Sequence, residues 1–342
     1  MTKEIKKAVV LGNGGWGTSL ALIMHANGID TRLWCAFPEE ADKLRSTRRN
    51  ERYLPGIELP EGLTITADPF AAAADVDLAL SVVPTQFLRS VSERFEDALA
   101  GHVPLASATK GIEIETFKRP DQILRDVFGR RPFCVVTGPT HAEEVARGMP
   151  ASAVAASYDA QLAMAVQKAL SCDSLRVYTN GDPIGAQLGG ALKNVIAIAA
   201  GISDGLELGD NAKAALLTRG IVEMARFGKM HGAETETFFG LAGIGDLATT
   251  CYSKHSRNRS VGERIGRGAT LEEILKEMKM VAEGVWTTKA LFGPESDARR
   301  VQMPIAQQVH AVLFEGQDPR KAVTELMRRD LSGEMEGLEF QA

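Results

Sequence analysis

The first half of the chain alternates short apolar runs with amphipathic stretches. Several of the runs are apolar throughout, which is typical of strands covered on both faces. Helical stretches lie between them, such as residues 18–27, which end at Gly28, and residues 159–170. This alternation predicts an α/β fold with a parallel, doubly wound sheet. The predicted strands are residues 8–11, 31–34, 63–66, 77–83, 104–108, 133–137, 152–156 and 175–178.

The pattern changes near residue 182, where Asp182 and Pro183 form a helix-start signal. Beyond it the chain shows helical segments and no clear strand, so we expect an α/β domain over residues 1–182 and an all-α domain over residues 183–342. The final dozen residues, rich in Glu and Gly, are expected to be loosely held. The predicted helices are residues 183–203, 211–230, 235–239, 259–267, 270–278, 284–290, 303–314 and 319–327.

A single charge interrupts the apolar helix that opens the second half. Lys193 is the only charged residue between Pro183 and Ser203. Burial of its ammonium group would penalise the charged form and lower its pKa, which allows a lysine to exchange protons near neutral pH. Alternatively, the stem of Lys193 packs while its head reaches water. This run by itself leaves both interpretations open.

A glycine-rich turn follows the first predicted strand. Residues 12–17 read Gly-Asn-Gly-Gly-Trp-Gly, a G-x-G-x-x-G pattern between an apolar strand and an amphipathic helix. Gly12 permits the tight turn, Gly14 lets the backbone approach a pyrophosphate, and Gly17 lets the helix pack on the strand. The helix start attracts the anion. This context favours a dinucleotide site over a glycine-rich turn without a ligand.

The end of the second strand leaves the choice of NAD or NADP open. An acidic residue there favours NAD and a basic one favours NADP, because it reads the adenosine ribose. Residues 34–38, Trp-Cys-Ala-Phe-Pro, carry no charge. Glu39 and Glu40 follow slightly too late, and Arg32 and Arg45 are also nearby.

Composition excludes several other classes of protein. The 342 residues suffice for two domains, and a net charge of −5 gives no reason to expect nucleic acid. The four cysteines lie far apart and form no CxxC pair, so we expect reduced thiols in a cytoplasmic protein. The six histidines are scattered without metal-ligand spacing, so we expect no metal. No signal-peptide pattern opens the chain, and the glycines, Gln187 and Lys193 argue against stable membrane insertion of residues 183–203.

Nine segments, in order between residues 8 and 290, together resemble the bacterial NAD(P)-dependent sn-glycerol-3-phosphate dehydrogenases. The resemblance implies an N-terminal Rossmann-type domain and an all-α C-terminal domain similar to that of 6-phosphogluconate dehydrogenase. It also implies reversible hydride transfer between NAD(P)H and dihydroxyacetone phosphate, giving sn-glycerol 3-phosphate for glycerophospholipid synthesis, and it favours a homodimer. The segments are residues 12–21, 81–86 (Ser-Val-Val-Pro-Thr-Gln), 108–111 (Ala-Thr-Lys-Gly), 138–145, 189–199 (Gly-Gly-Ala-Leu-Lys-Asn-Val-Ile-Ala-Ile-Ala), 211–220, 240–247, 251–259 and 281–285.

The resemblance identifies Lys193 as the proton donor and acceptor for the substrate oxygen. Lys110, at the end of a predicted strand, would contact substrate and cofactor and lower the pKa of Lys193 further; the alternative is an exposed lysine. Asp246 is the only charge for several residues on either side, and a buried carboxylate needs a partner, for which Lys193 is the candidate. Alternatively, Asp246 is a helix N-cap after Gly245.

The Ser-Arg-Asn run at residues 256–258 matches the part of the family that holds the substrate phosphate. A planar guanidinium such as that of Arg257 can hold a phosphate with two hydrogen bonds. The alternative for such a basic run is a solvated helix face. We assign that interpretation to the neighbouring Arg259, Arg264 and Arg267.

Further positions match the family's contacts, with two departures. Gly15 stands where the family commonly has a small hydroxyl residue, so a side-chain phosphate contact is lost there. Ala36 replaces the Arg or His often found at its position, which weakens the expectation of NADP preference. Trp16 has core packing as its alternative. The implied substrate contacts are Lys110, Gly138, Thr140, Lys193, Asp246, Ser256, Arg257 and Asn258. The implied cofactor contacts are Gly12, Gly14, Gly15, Trp16, Gly17, Ala36, Lys110, Ala142, Arg257, Val281 and Glu283.

Two other functions compete with this one. One is a related two-domain dehydrogenase that acts on another small hydroxy acid or phosphate, and the Ser-Arg-Asn run favours a phosphorylated substrate. The other is a non-catalytic dinucleotide-binding sensor. The presence of Lys110, Lys193 and Asp246 together argues against a sensor, because a sensor needs no proton relay.

Overall fold

The computed structural model describes residues 4–278, 281–331 and 333–338, which form two compact units. The first unit comprises the residues up to Thr109 together with Pro120–Pro183. The second comprises Lys110–Arg119 and the described residues from Ile184 onward. A single boundary after residue 182 would place the segment Lys110–Arg119 in the first unit. In the structure this segment belongs to the helical unit, whose core contains Ile112.

The first unit is built around one sheet of eight strands, each of which overlaps a predicted strand. They are β1 (Lys7–Leu11), β2 (Asp30–Trp34), β3 (Thr64–Thr66), β4 (Leu78–Ser81), β5 (Leu105–Ser107), β6 (Phe133–Thr137), β7 (Ala151–Ala156) and β8 (Leu175–Asn180). Their order across the sheet is β3-β2-β1-β4-β5-β6-β7-β8. The chain thus winds outward from β1 in both directions, as in a Rossmann-type sheet.

Helices connect the strands, and hydrophobic cores lie on both faces of the sheet. Along β1, Ala8 and Val10 belong to one core while Val9 and Leu11 belong to the other, as expected for a strand buried on both faces. The connecting helices are α1 (Gly15–Ala26), α2 (Pro38–Thr47), α3 (Pro69–Ala73), α4 (Thr85–Glu93), α5 (Pro120–Phe128), α6 (Ala142–Ala146) and α7 (Ala160–Leu170).

One strand pair departs from the predicted parallel sheet: β6 and β7 are antiparallel, whereas the other neighbouring strands are parallel. A parallel connection needs a crossover that returns the chain to the opposite edge of the sheet. Residues 138–150 contain only α6, a helix of five residues that is about 7.5 Å long. Because this helix is too short for the return, the chain enters β7 in the reverse direction.

The described residues of the second unit contain helices and no strand. The two longest helices are α8 (Pro183–Gly205), which starts in the last residue of the first unit, and α9 (Gly209–Met230). A π-helical turn, Leu241–Gly245, leads directly into α10 (Asp246–Tyr252). The remaining helices are α11 (Arg257–Gly266), α12 (Leu271–Glu277), α13 (Glu283–Leu291), α14 (Pro304–Phe314) and α15 (Pro319–Met327), with 3₁₀ turns at Thr235–Phe239 and Ala298–Arg300.

Helix α8 lies in the core of the second unit. Leu188, Leu192, Val195 and Ile198 are among its buried side chains. By length and composition α8 also meets the criteria for a membrane-crossing helix, but 89% of its most apolar 18-residue window is buried inside the protein. Burial in the core of this unit therefore accounts for the hydrophobicity of α8.

The expectation of a loosely held C-terminal segment is contradicted in part by residues 333–338, of which residues 333–337 are exposed but anchored by the following contacts. Leu338 is buried in the hydrophobic core of the second unit. The guanidinium Nε of Arg226 donates to the carbonyl oxygen of Glu336 at 2.6 Å, and Arg219 donates to that of Glu334. The prediction also covered residue 332 and residues 339–342, which lie outside the described residues.

Helices α8 and α11 approach each other at glycines. A Cβ atom on Gly201 would lie 2.0 Å from the carbonyl oxygen of Arg259, and one on Gly262 would lie 1.9 Å from that of Ile198. Both distances are far inside van der Waals contact, so the two backbones meet without side chains between them. This contact holds α11 against the C-terminal half of α8.

We expect Gly201→Ala to lower the free energy of unfolding by about 1–3 kcal/mol, because the added methyl group forces two backbones apart. Urea-induced unfolding measures the change. Gly101→Ala is the matched control, since no atom lies within 4 Å of a Cβ at that position; its effect should stay within about 0.5 kcal/mol. Equal stability of the two variants would show that the crossing tolerates a side chain.

Candidate active site

The glycine-rich turn joins β1 to α1 and depends on two of its glycines. Gly12 has a φ of 115°, which other residues rarely adopt. A Cβ on Gly17 would lie 2.0 Å from the carbonyl oxygen of Gly12. At Gly14, by contrast, no atom lies within 4 Å of an added Cβ, so the space beside this residue is open.

The start of α1 fits the pyrophosphate of a dinucleotide. Helix α1 has no acidic residue in its first turn, and its N-cap residue, Gly14, provides no side-chain cap. The first N–H groups of a helix have no intrahelical acceptors, and the helix dipole favours negative charge at this end. The strand, turn and open helix start therefore have a geometry that suits an anion, and the dinucleotide site stays a prediction.

Residues outside the predicted site hold this turn in place. The amide nitrogen of Asn50 donates to the carbonyl oxygen of Asn13 and to Oγ1 of Thr18, each at 2.8 Å. The amide nitrogen of Asn13 donates to Oε2 of Glu40 at 3.1 Å. Asn50 and Asn13 are 37 positions apart, so no local pattern marks this contact.

Gly15 and Ala142, two predicted cofactor contacts from distant segments, meet beside α1. The hydroxyl of Ser19 donates to the carbonyl oxygens of Gly15 at 2.9 Å and of Ala142 at 3.1 Å. A Cβ on Gly15 would lie 2.7 Å from the carbonyl oxygen of Tyr53, which explains why this chain has glycine there. Trp16 packs against the core of the first unit, in agreement with its alternative interpretation.

Three further predicted residues follow strands at the carboxyl edge of the sheet, where doubly wound sheets bind ligands. Gly138 and Thr140 follow β6, and the Thr140 hydroxyl donates to the carbonyl oxygen of Gly138 at 3.2 Å. Ala36 follows β2 by two residues, and its carbonyl oxygen accepts a hydrogen bond from Nη1 of Arg94 at 2.9 Å.

In the second unit, Asp246 bonds both predicted lysines. Its Oδ2 lies 2.7 Å from Nζ of Lys110, and its Oδ1 lies 2.6 Å from Nζ of Lys193. The side chains of Asp246 and Lys193 are only 2% and 8% exposed, and that of Lys110 is 17% exposed. One buried carboxylate thus bridges two ammonium groups, which leaves one excess positive charge when all three are ionised.

Secondary structure sets this arrangement. Lys193 lies in the middle of α8, whereas Asp246 is the first residue of α10, directly after the π-helical turn. Such turns occur frequently at functional sites. Gly245 occupies the N-cap position, and the Asp246 carboxylate bonds the lysines. The interpretation of Asp246 as the N-cap residue is therefore wrong.

Burial and neighbouring charges shift the pKa values of this cluster. Burial lowers the pKa of Lys193 to about 8; Asp246 opposes this shift and Lys110 adds to it. Burial alone would raise the pKa of Asp246, but the charges and hydrogen bonds of Lys110 and Lys193 outweigh it and hold that pKa below its ordinary value. Lys193 is therefore able to change protonation near neutral pH while Asp246 stays ionised.

Thr250 completes the cluster but is absent from the predicted site residues. Nζ of Lys193 donates to Oγ1 of Thr250 at 2.6 Å, and that hydroxyl donates to the main-chain oxygen of Asp246 at 2.7 Å. Thr250 follows Asp246 by four positions, so both lie on the same side of α10. The spacing of four residues could therefore have indicated Thr250 from the sequence, once Asp246 was placed in a helix.

The predicted Ser-Arg-Asn run forms the start of α11, where two of its side chains are buried. Oγ of Ser256 caps the helix by accepting a hydrogen bond from the backbone of Arg259 at 3.2 Å. The amide of Asn258 donates to Oδ1 of Asn194 and accepts from the backbone N–H of Gly284, both at 2.9 Å. Asn258 therefore joins α8, α11 and α13, and Asn194 is a second residue that the predicted site lacks.

Arg257, Val281 and Glu283 lie together in the second unit. Nη1 of Arg257 donates to the carbonyl oxygen of Val281 at 2.8 Å, and Glu283 begins α13 two positions later. Arg257 is exposed, unlike its neighbours Ser256 and Asn258. The run thus presents its guanidinium at the surface while the hydroxyl and the amide organise the helix start.

The arginines that follow do not form a uniform solvated face. The Arg259 side chain is largely buried and bonds Asp204 at 2.7 Å and Glu263 at 3.1 Å. The solvated-face interpretation is therefore wrong for Arg259. Arg264 and Arg267 lie nearer the surface, where each pairs with a glutamate.

The fold and these sites define a dinucleotide-binding protein with a helical second domain, and comparison with known proteins specifies the family. The family described as NAD-dependent glycerol-3-phosphate dehydrogenase matches with its N-terminus over residues 7–163 and with its C-terminus over residues 182–324. The chain belongs to this family, which confirms the resemblance seen in the sequence.

Relatives match over nearly the whole chain. The glycerol-3-phosphate dehydrogenase (NAD(P)+) of Geobacter metallireducens is 48% identical over 96% of this chain and 99% of its own length. That of Geobacter sulfurreducens is 47% identical over 95% of this chain and 98% of its own. The crystal structure of glycerol-3-phosphate dehydrogenase from Coxiella burnetii is 37% identical, with a TM-score of 0.90 over 95% of this chain and 99% of that one.

We expect Asp246→Asn to lower the free energy of unfolding by about 3–5 kcal/mol, because it leaves buried ammonium groups without a counter-charge. The substitution also removes the interactions that raise the pKa of Lys193, so that pKa should fall below about 8. Stability should then rise more with pH in the variant than in the parent protein up to about pH 8, since the variant folds with Lys193 neutral.

Urea-induced unfolding at pH 6.5 and pH 9 measures both effects of Asp246→Asn. Asp42→Asn is the control, because Asp42 is exposed and its ion-pair partner among the described residues is Arg45, which is also exposed. An Asp246→Asn protein with the parent's stability at both pH values would contradict the view that this carboxylate compensates the lysines.

Proposed function

We propose that this protein catalyses the reversible reduction of dihydroxyacetone phosphate to sn-glycerol 3-phosphate with a nicotinamide dinucleotide. The observation that carries the proposal is Lys193, a buried lysine with a pKa of about 8 that is bonded to Asp246 and Thr250. It occurs in a chain that is 48% identical to a glycerol-3-phosphate dehydrogenase over almost its full length. The product would serve glycerophospholipid synthesis.

Lys193 moves the proton in this mechanism. An ammonium group has three N–H donors, and those of Lys193 bond Asp246 Oδ1 and Thr250 Oγ1, which leaves a third for the substrate. During reduction Lys193 donates that proton to the C2 oxygen as the alkoxide develops, and during oxidation the neutral amine takes it back. The excess positive charge of the cluster polarises the carbonyl group.

The cofactor would be held by the glycine-rich turn of the first unit. When bound there, a nicotinamide dinucleotide supplies or accepts the hydride. The open helix start beside Gly14 supports this assignment, with Gly12, Gly15, Trp16, Gly17, Ala36 and Ala142 as its further residues in this unit. In the second unit we assign Lys110, Arg257, Val281 and Glu283 to the same ligand.

The substrate phosphate would be held by Arg257. Its guanidinium is exposed at the start of α11, where the helix dipole also favours an anion. Ser256 and Asn258 are buried and fix this helix start, so their main proposed role is to orient Arg257 toward the phosphate. Lys110, Gly138 and Thr140 are the remaining proposed substrate contacts.

We further propose that the enzyme acts as a cytoplasmic homodimer. The four cysteines, Cys35, Cys134, Cys172 and Cys251, are free thiols, which is typical of a reducing compartment. The homodimer is inferred from the resemblance to the family.

The reaction is tested by the oxidation of NADH, and separately NADPH, on addition of dihydroxyacetone phosphate. We expect turnover with the phosphorylated substrate and about 10- to 100-fold lower kcat/KM with dihydroxyacetone, because hydrogen bonds to a charged phosphate contribute about 1.5–3 kcal/mol. Absorbance at the nicotinamide band reports the rate. Cofactor binding without turnover of either compound would favour the sensor and contradict the proposal.

The role of Lys193 predicts opposite pH dependences in the two directions. The rate of reduction should fall as pH rises through about 8, because the proton donor is lost, and the rate of oxidation should rise over the same range. Lys193→Met, which keeps an apolar stem, should lower kcat at least about 100-fold in both directions. Steady-state rates from pH 6 to pH 10 measure these effects, and binding of the cofactor should persist.

Lys213→Met is the matched control for Lys193. Lys213 is also a buried lysine, and its ammonium bonds Asp204 at 2.8 Å. Its loss should reduce stability but leave the pH profile of the parent enzyme. If Lys193→Met retained the parent's rate and profile, the proton would have to be moved by another group.

A further inference from the structure

An arginine from outside the second strand lies where a Rossmann-type domain reads the adenosine ribose. Nη1 of Arg94, the residue after α4, donates to the carbonyl oxygen of Ala36 at 2.9 Å. The guanidinium also stacks on the indole ring of Trp34, with 4.6 Å between its central carbon and the ring centroid. Arg94 and Ala36 are 58 positions apart.

Backbone contacts connect this arginine to the glycine-rich turn. The backbone N–H of Gly12 donates to the carbonyl oxygen of Trp34 at 3.1 Å. Trp34 is the last residue of β2, and Ala36 follows it by two positions. The guanidinium of Arg94 therefore lies at the strand end that adjoins the first glycine of the turn, where the residue that distinguishes the 2′-hydroxyl from the 2′-phosphate stands in this fold.

Three other charged side chains of this region, those of Arg32, Glu40 and Arg45, are already engaged, whereas Glu39 is exposed. Arg32 donates to main-chain carbonyl oxygens of residues 71, 72 and 74, and Arg45 pairs with Asp42. Glu40 accepts hydrogen bonds from Asn13 and Arg52. Among the described residues, Arg94 has no carboxylate partner. It thus supplies an uncompensated positive charge beside Ala36, a position at which this chain has no charged side chain of its own.

We propose that Arg94 binds the 2′-phosphate of NADP(H) and gives this protein a preference for NADP(H) over NAD(H). One N–H of its guanidinium bonds Ala36, and the planar group has five such donors, so donors remain for a phosphate. Stacking on Trp34 holds the plane in place before the ligand arrives, which reduces the entropy lost on binding. The inference rests on the dinucleotide site of the proposed function.

Calorimetric titration with adenosine 2′,5′-bisphosphate and with ADP tests the inference without turnover. The full-length protein should bind the 2′-phosphorylated compound more tightly. Arg94→Ala should weaken that binding, and the binding of NADPH measured by its fluorescence, by about 10- to 100-fold, the range expected for a hydrogen-bonded charge. Binding of ADP and NADH, which lack the 2′-phosphate, should change less than about threefold.

Three further variants separate recognition from structural support. Arg94→Gln keeps a donor for the Ala36 carbonyl but lacks the charge, so it should lose the preference as fully as Arg94→Ala. Arg94→Lys should retain part of it, because the charge remains without the planar fork. Arg125→Ala removes an exposed arginine of α5 and should bind all four compounds like the parent protein.

Equal weakening of NADH and NADPH binding by Arg94→Gln would overturn the inference, since it would show a structural role only. Unchanged binding of adenosine 2′,5′-bisphosphate in all Arg94 variants would also overturn it. These binding results are independent of catalysis. A protein that discriminates the 2′-phosphate but does not reduce dihydroxyacetone phosphate would support this inference while contradicting the proposed function.

Discussion

The structure of the second unit depends on the buried carboxylate of Asp246, which compensates two lysines at once. Ion pairs at this depth are stable only when each charge has its partner, because desolvation is costly. Lys110, Lys193 and Asp246 come from widely separated parts of the sequence, so their pairing also joins three segments of the chain. The short segment Lys110–Arg119 belongs to the helical unit partly for this reason.

The helices around this ion-pair cluster restrict where its members lie. Asp246 is presented by a helix that starts straight from a π-helical turn, and Lys193 by a long core helix. The glycine contacts between α8 and α11, together with the bond of Asn258 to Asn194, fix the helix start that exposes Arg257. Lys193 and Arg257, which we propose to exchange the proton and to bind the anion, are thus both held by backbone packing within one unit.

The two units use electrostatics differently. In the first, an anion would be bound by uncharged elements, namely an open helix start and glycines that let the backbone approach. In the second, ionised side chains shift one another's pKa values inside a core. Arg94 shows a third arrangement. Position 36, at the end of the second strand, has an uncharged alanine, and an arginine 58 positions away brings a positive charge to it.

The sequence by itself determined the elements of the fold and the residue types of the site. All eight strands and the helical second half were predictable, because burial on one or two faces imposes its period on local sequence. The glycine-rich turn and the isolated charges Lys193 and Asp246 were recognisable for a different reason, because each differs from the residues around it in the sequence. Only the tertiary structure decided the reversal of β7, the unit to which Lys110 belongs, the contact of Thr250 with Lys193, and the position of Arg94 beside Ala36. The reversal of β7 follows from the short connection after β6, whereas the other features depend on contacts between residues up to 136 positions apart. Local sequence patterns do not specify which distant residues will be in contact.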